Sequence, residues 1–246
     1  MSAPRLLLVV PAYNEAGRLD REAFLAFVDR HPGVAIHFVD DGSRDGTEAM
    51  LDALAASRPG RISATRLPTN AGKAEAVRQG MLHGLATGAT LVGFADADLA
   101  TPLDEALSLA AALDADPALW AAIGSRVQLL GRDIARSALR HYLGRVFATA
   151  ASLVLRLPVY DTQCGLKLFR NVPAVTAAFA RPFTSRWIFD VEILARLEVA
   201  HGGPVGLPVR EVPLEAWHDR SGSRLRVADF VRAPGDLLRI RRAMRR

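Results

Sequence analysis

Four short apolar runs, each followed by a helix-like segment, constrain this chain more than any other feature. The runs are Arg5–Val10, Ala35–Val39, Ile62–Leu67 and Leu91–Ala95. Between them, Leu19–Arg30 has helical spacing at Leu19, Ala23, Phe24 and Phe27, and Asp45–Ser57 has it at Ala49, Leu51, Leu54 and Ala55. Ala74–Ala86 reads as a third helix. This β-α-β-α rhythm predicts an α/β fold with a mostly parallel, doubly wound sheet, because parallel neighbours require a crossover. Ligands of such sheets bind at the carboxyl ends of the strands. The second half is less regular. Leu103–Leu113 is predicted helical, opening after Thr101-Pro102, and Leu119–Ser125 is predicted as a strand. Arg132–Leu157 reads as a long helical stretch, Asp161–Arg170 as strand or hairpin, Ile188–His201 as helix and Val205–Trp217 as extended. Ala228–Met244 reads as a final amphipathic helix, bent near Pro234-Gly235. With no repeat, low-complexity tract or linker, one domain is expected over 1–219. A basic amphipathic segment, 220–246, packs on it or extends from it.

The chain has 246 residues, half of them hydrophobic, which is enough for one large core. A single cysteine, Cys164, excludes an internal disulfide and a cysteine-based zinc site, and fits a reducing, cytoplasmic setting. No run of 18 or more apolar residues predicts a transmembrane helix. The apolar stretch Leu6–Val10 is too short for a signal peptide and ends at Pro11. The net charge of +5 is unevenly placed: Arg220–Arg246 holds nine Arg and two Asp, leaving the remainder slightly acidic. That segment combines Phe230, Val231, Leu237, Leu238 and Ile240 with Arg239, Arg241, Arg242, Arg245 and Arg246. Such a pattern suits peripheral contact with anionic lipid at the cytoplasmic face of a membrane. Nucleic acid is disfavoured, because no stacking aromatics are interleaved with the arginines.

The chemistry-bearing residues lie where the runs end. Leu91–Ala95 runs into Asp96-Ala97-Asp98. Side chains alternate along a strand, so the two carboxylates point the same way and repel unless a cation lies between them. An oxygen-only pair suits Mg²⁺ or Mn²⁺, which in turn grips a diphosphate. The first run leads into Pro11-Ala12-Tyr13-Asn14-Glu15, and the second into Asp40-Asp41-Gly42-Ser43, then Asp45-Gly46-Thr47. Asp40 and Asp41 read as base- or ribose-contacting acids or as a polar turn; Asp45 and Thr47 read as helix caps. Asn70-Ala71-Gly72-Lys73 lacks the spacing of a Walker-type loop, yet Lys73 can balance diphosphate charge at a helix start or simply be solvated.

In their order, these motifs resemble family 2 glycosyltransferases with the GT-A fold. The resemblance extends through Gly124-Ser125-Arg126, Asp161-Thr162-Gln163-Cys164-Gly165-Leu166-Lys167-Leu168-Phe169, Arg186-Trp187-Ile188-Phe189-Asp190-Val191-Glu192, Trp217-His218 and Gly222-Ser223-Arg224-Leu225. These stretches look like dolichyl-phosphate β-glucosyltransferases and their prokaryotic relatives. The resemblance implies inverting transfer of a hexose, glucose from UDP-glucose, onto a polyprenyl or dolichyl phosphate. By carry-over, Pro11, Tyr13 and Glu15 line the nucleotide pocket with Asp41 and Lys73, and Asp96 and Asp98 flank the metal and diphosphate.

A lipid phosphate is already an anion and needs orientation and charge screening, whereas a hydroxyl acceptor needs a general base. Arg126, Arg132, Arg136 and Arg140 are candidate phosphate ligands, the last three at i, i+4 and i+8 of the long helical stretch. Asp190 stands where hydroxyl-directed relatives keep a catalytic carboxylate; it is a candidate base or an orienting partner of Arg186 and Trp187, with Glu192 the lesser candidate. His218 is a candidate third metal ligand or a structural residue, and Cys164 a packed one. A hydroxyl-directed transferase and a non-catalytic nucleotide-sugar binder remain the competing readings.

Overall fold

The computed structural model describes residues 3–135, 147–153, 157–219 and 227–243, with backbone alone at 135 and 227–234. Its strands are β1 (Leu6–Ala12), β2 (Val34–Asp40), β3 (Ile62–Arg66), β4 (Leu91–Phe94), β5 (Ala121–Ser125), β6 (Asp133–Ala135), β7 (Lys167–Arg170), β8 (Val209–Pro213) and β9 (Ala216–His218). Its helices are α1 (Arg21–Arg30), α2 (Thr47–Ser57), α3 (Lys73–Ala86), α4 (Glu105–Ala115), α5 (Pro173–Ala180), α6 (Phe189–His201) and α7 (Val227–Ala243). The main sheet has the order β3-β2-β1-β4-β7-β5-β8. β1 pairs in parallel with β2 and β4, β2 with β3, and β5 with β8. β7 alone runs antiparallel, to both β4 and β5. This is the GT-A arrangement: a mostly parallel sheet flanked by helices.

Burial on both faces explains why β1 reads Leu-Leu-Leu-Val-Val without polar interruption. Leu6, Leu8 and Val10 join Phe24, Phe27, Leu51, Leu54 and Leu109 of α1, α2 and α4. Leu7 and Val9 join Val77 and Met81 of α3 and Ile193 and Leu197 of α6 on the other face. α3 lies close on the sheet at Gly80, where a Cβ would come within 2.3 Å of a Val9 methyl. Such a contact fixes how far the start of α3, and Lys73 with it, stands above the strand ends.

The second half departs from the sequence expectation in four places. The start of the expected helix at 132–157 is instead strand β6, captured by β9, with Ile134 buried beneath it. Helical backbone appears only at 147–153 among the described residues of that stretch. Only Lys167–Arg170 of the expected 161–170 strand is extended. The unforeseen α5 opens with Pro173 in its first turn, and Val175, Ala178 and Phe179 bury its inner face. α7 runs as one helix through Pro234-Gly235. Its Leu237 and Ile240 pack on Val191, Leu194 and Ala195 of α6, leaving Leu238, Arg239 and Arg242 outward. Leu237 and Ile240, two of the five apolar residues expected to meet lipid, are therefore core, whereas the side chains of Phe230 and Val231 lie outside the described residues. No helix among the described residues is long and apolar enough to cross a membrane.

Candidate active site

The ends of β1, β2 and β4 bring Pro11–Glu15, Asp40-Asp41 and Asp96–Asp98 to one edge. Because β7 is antiparallel, its first residue pairs with the last of β4, Phe94 with Lys167. The turn Asp161–Leu166 is thereby delivered to the same edge, although it precedes its strand. Asp96 sits against that turn. A Cβ on Gly165 would lie 2.2 Å from Asp96 Oδ2, so only glycine admits the carboxylate there.

Around Asp96, charges alternate. Lys73 Nζ is 2.5 Å from Asp96 Oδ1. Asp190 Oδ1 accepts from Lys167 Nζ at 2.5 Å, and the same ammonium donates to the Cys164 carbonyl and stands 5.4 Å from the Phe94 ring centre. Lys167 is wholly buried. Burial pushes the Asp190 carboxyl up, while Lys167 and then Lys73 pull it back. Burial, and next the charge of Asp96, raises Asp98, whose Oδ1 accepts from Ala100 N at 3.0 Å. For Lys73, 43 % of its side chain exposed, desolvation opposes the charge but Asp96, Asp190 and Asp98 outweigh it and raise the pKa. Glu15 is buried and grips Arg18 with both carboxylate oxygens; Arg18 in turn faces Asp98.

Asp41 faces a different way from that of a free base-binding acid. Its Oδ1 accepts from Ala71 N at 2.7 Å, and Oδ2 from Gly72 N at 2.9 Å and Asn70 Nδ2 at 3.0 Å. It thus braces the turn that launches Lys73. Asp40 accepts from Ser43 N at 2.9 Å and lies 3.8 Å from Arg66. Asp45 and Thr47 latch the β1 exit: Glu15 N donates to Thr47 Oγ1 at 2.8 Å, and Thr47 Oγ1 to Asp45 at 2.6 Å. Pro11 and Tyr13 are half-buried on the same rim.

On the acceptor side, Arg126 is committed to Asp161. Its Nε and one terminal nitrogen donate to the two carboxylate oxygens at 2.6 and 2.8 Å, and Trp217 lies 5.4 Å beneath. Burial works against its charge, but Asp161 keeps its pKa above the ordinary value. Glu211 accepts from Tyr160 N and Asp161 N, both at 2.8 Å, and so holds Asp161 in place. Arg132 pairs with Glu215 at 2.8 Å, off the helix on which it was expected. Arg136 and Arg140 lie outside the described residues. His218 is the candidate third metal ligand. Its ring lies 3.4 Å from Asp133, because strand pairing of β6 with β9 turns it there. Its backbone N nevertheless donates to Ala100 O at 2.9 Å, tying β9 to the Asp96–Asp98 turn. No group of three or more His, Cys, Asp or Glu able to hold a metal exists among the described residues. Cys164 is fully buried, its thiol pushed up to about 11 by burial.

Sequence reasoning overlooked Lys167, Gly165 and Arg18. One signal was available: a lysine inside Leu166-Lys167-Leu168-Phe169, where an unpaired buried ammonium is untenable. Glu192 accepts from Thr184 N at 2.8 Å and Arg196 at 2.7 Å, which marks it as a staple between α6 and the preceding loop.

Comparison with known proteins agrees with this geometry. The family described as "Glycosyl transferase family 2" matches residues 7–175. A dolichyl-phosphate beta-glucosyltransferase of Drosophila melanogaster is 36% identical over 236 residues, covering 89% of this chain and 69% of its own. One of Trichomonas vaginalis is 31% identical over 244 residues, covering 94% and 69%. The polyprenol monophosphomannose synthase of Mycolicibacterium smegmatis is 29% identical, covering 92% and 84%. Among solved structures, glucosyl-3-phosphoglycerate synthase from Mycobacterium tuberculosis, in complex with Mn²⁺, UDP and glucosyl-3-phosphoglycerate, superposes with TM-score 0.67 at 18% identity, covering 96% of this chain and 80% of its own. A Pyrobaculum calidifontis mannosyltransferase in complex with GDP-Man and Mn²⁺ gives TM-score 0.64 at 20% identity, covering 100% and 66%. At such identities the structures speak for the fold alone; the family match and the 31–36% relatives carry the assignment, and this chain belongs to glycosyltransferase family 2.

Proposed function

We propose that this enzyme transfers glucose from UDP-glucose, with inversion, onto a polyprenyl or dolichyl phosphate. The observation that carries the acceptor class is the state of Asp190. The carboxylate placed for proton abstraction is buried against Lys167 and faces Lys73. Its Oδ1 is engaged by the buried Lys167 ammonium at 2.5 Å. A phosphate acceptor has no proton to lose in the attack, so such a site suits it better than a hydroxyl. The names of the relatives that cover most of the chain support the same acceptor.

Asp96 and Asp98 fit a Mg²⁺ or Mn²⁺ ion: both are oxygen donors on one turn, and burial, then the charge of Asp96, raises Asp98. A divalent ion held there takes up charge developing on the departing diphosphate. The chain's own residues do the rest. Lys73 adds a second positive charge at the start of α3, and Arg18, held by Glu15, acts on Asp98. Pro11 and Tyr13 wall the nucleotide, with Asp41 shaping that pocket through the 70–72 turn. Acceptor charge is met by Arg132, Arg136 and Arg140, while Arg126 keeps the Asp161 turn in place. Leu238, Arg239 and Arg242, the outward face of α7, provide peripheral contact with the membrane that holds the acceptor.

A panel of radiolabelled nucleotide sugars with a short polyprenyl phosphate tests the reading. Label carried from UDP-glucose into the lipid is expected. Label only in water-soluble products would overturn it in favour of a hydroxyl acceptor.

A further inference from the structure

Lys73 and the carboxylates around it have a consequence for the order in which the site fills. The ammonium sits on Asp96 Oδ1 at 2.5 Å and acts on Asp98 and Asp190 as well. Asp190 is separately neutralised by the buried Lys167. Lys73 therefore serves chiefly the pair Asp96 and Asp98, the same two groups that would hold a divalent cation. Arg18 is matched by Glu15, and Arg126 by Asp161, so neither alters the local balance. Asp96, Asp98 and Asp190 against Lys73 and Lys167 leave one net negative charge. A dication entering alone would leave an excess positive charge beside an ammonium already in contact with its ligand. A nucleoside diphosphate arriving with it removes that excess and gives Lys73 an anion to move to.

Lys73 is also placed rather than free to drift. The turn before it is held by three hydrogen bonds to Asp41, from Asn70 Nδ2, Ala71 N and Gly72 N. The residue immediately after that turn begins α3, so its stem starts from a fixed point above Asp96.

We infer that Lys73 occupies the cation position on Asp96 in the empty enzyme, competes with the divalent metal, and makes metal and nucleoside diphosphate bind synergistically. This rests on the reading of Asp96 and Asp98 as the metal-diphosphate site. Mn²⁺ uptake by the full chain, followed by loss of the free-ion electron paramagnetic resonance signal, tests it without any turnover. In the absence of nucleotide, K73Q is expected to bind Mn²⁺ about tenfold more tightly than the natural chain, as removal of an adjacent like charge requires. With Mn²⁺ saturating, K73Q is expected to bind UDP more weakly by calorimetry, so that the mutual enhancement of Mn²⁺ and UDP shrinks by the same factor in both directions. Circular dichroism confirms that the variant is folded. Unchanged or weaker Mn²⁺ binding by folded K73Q, in a protein whose Mn²⁺ uptake D96N abolishes, would overturn the competition alone. Mn²⁺ uptake that survives D96N would overturn the site on which the inference stands, and the inference with it.

Discussion

Replacing Gly165 with alanine puts the position of Asp96 directly to the test. The added methyl carbon would lie 2.2 Å from Asp96 Oδ2, 2.5 Å from Cγ and 3.0 Å from Oδ1. Comfortable contact between such atoms starts near ~3.3 Å, so the carboxyl group must retreat by about 1 Å. The Gly165 backbone is outside the left-handed region, so alanine brings no strain of its own there. The fold should tolerate the change, and the unfolded chain loses a little freedom, which slightly favours the folded state. The whole effect should fall on the carboxylate and on Lys73, which rests on it. A misplacement of about 1 Å in a catalytic arrangement costs on the order of 10²-fold in rate, or about 2.7 kcal/mol of barrier. The assay is transfer of labelled glucose from UDP-glucose to polyprenyl phosphate at saturating Mn²⁺, beside a thermal melt of the same preparation. Turnover about 100-fold down with an unchanged melt is expected. In a D96N background, G165A should add almost nothing, because the group it displaces has already lost its charge. Full activity of G165A with an undiminished metal requirement would refute the placement of Asp96. Equal losses in both backgrounds would show that the methyl acts through the turn and not through the carboxylate.

Lys167→Met leaves Asp190 buried without its counter-charge and should lower stability in urea by about 3–5 kcal/mol. Adding Asp190→Leu should recover much of that loss, and failure to recover any would mean that the pair is not what Lys167 stabilises. Asp190→Asn should lower turnover by no more than about tenfold, since the proposed phosphate acceptor has no proton to abstract; a drop beyond ~10³-fold in a protein that melts normally would reinstate a general base. Burial, reinforced by His83 stacked at 4.0 Å, lowers the His37 pKa from 6.5 to about 3. The unfolded chain takes up that proton below 6.5 and the folded chain does not until about 3. The contribution of His37 is therefore intact above pH 6.5 and falls away through that window, by about 5 kcal/mol in full. His37→Gln should flatten the acid slope of unfolding free energy between those limits, and an unaltered slope would assign it to other groups.

What was legible in the sequence is local. Burial on both faces made β1, β2 and β4 continuous apolar runs, and the helices between them carried their own periodicity. The motifs at strand ends, Asp96-Ala97-Asp98 above all, were readable because the ends of parallel strands converge by topology. The 132–135 stretch misled for the opposite reason: whether those residues become strand depends on β9, which supplies the partner ladder. α5 escaped notice because its apolar residues are too evenly spread to show one face.

The roles of individual site residues were another matter. Asp41, Arg126 and His218 all stand in motifs, yet each is claimed by a partner far along the chain: the 70–72 turn, Asp161 and Asp133. A carboxylate or guanidinium has no intrinsic direction in sequence; the nearest opposite charge or amide in space decides whether it faces a ligand or braces a loop. The sequence by itself determined a glycosyltransferase fold and the acidic pair at the end of β4. The tertiary structure alone decided that an antiparallel strand carries Gly165 and Lys167 up to that pair. It also decided that Asp190 accepts from the Lys167 ammonium, because those contacts join segments that only the folded sheet brings within hydrogen-bond reach.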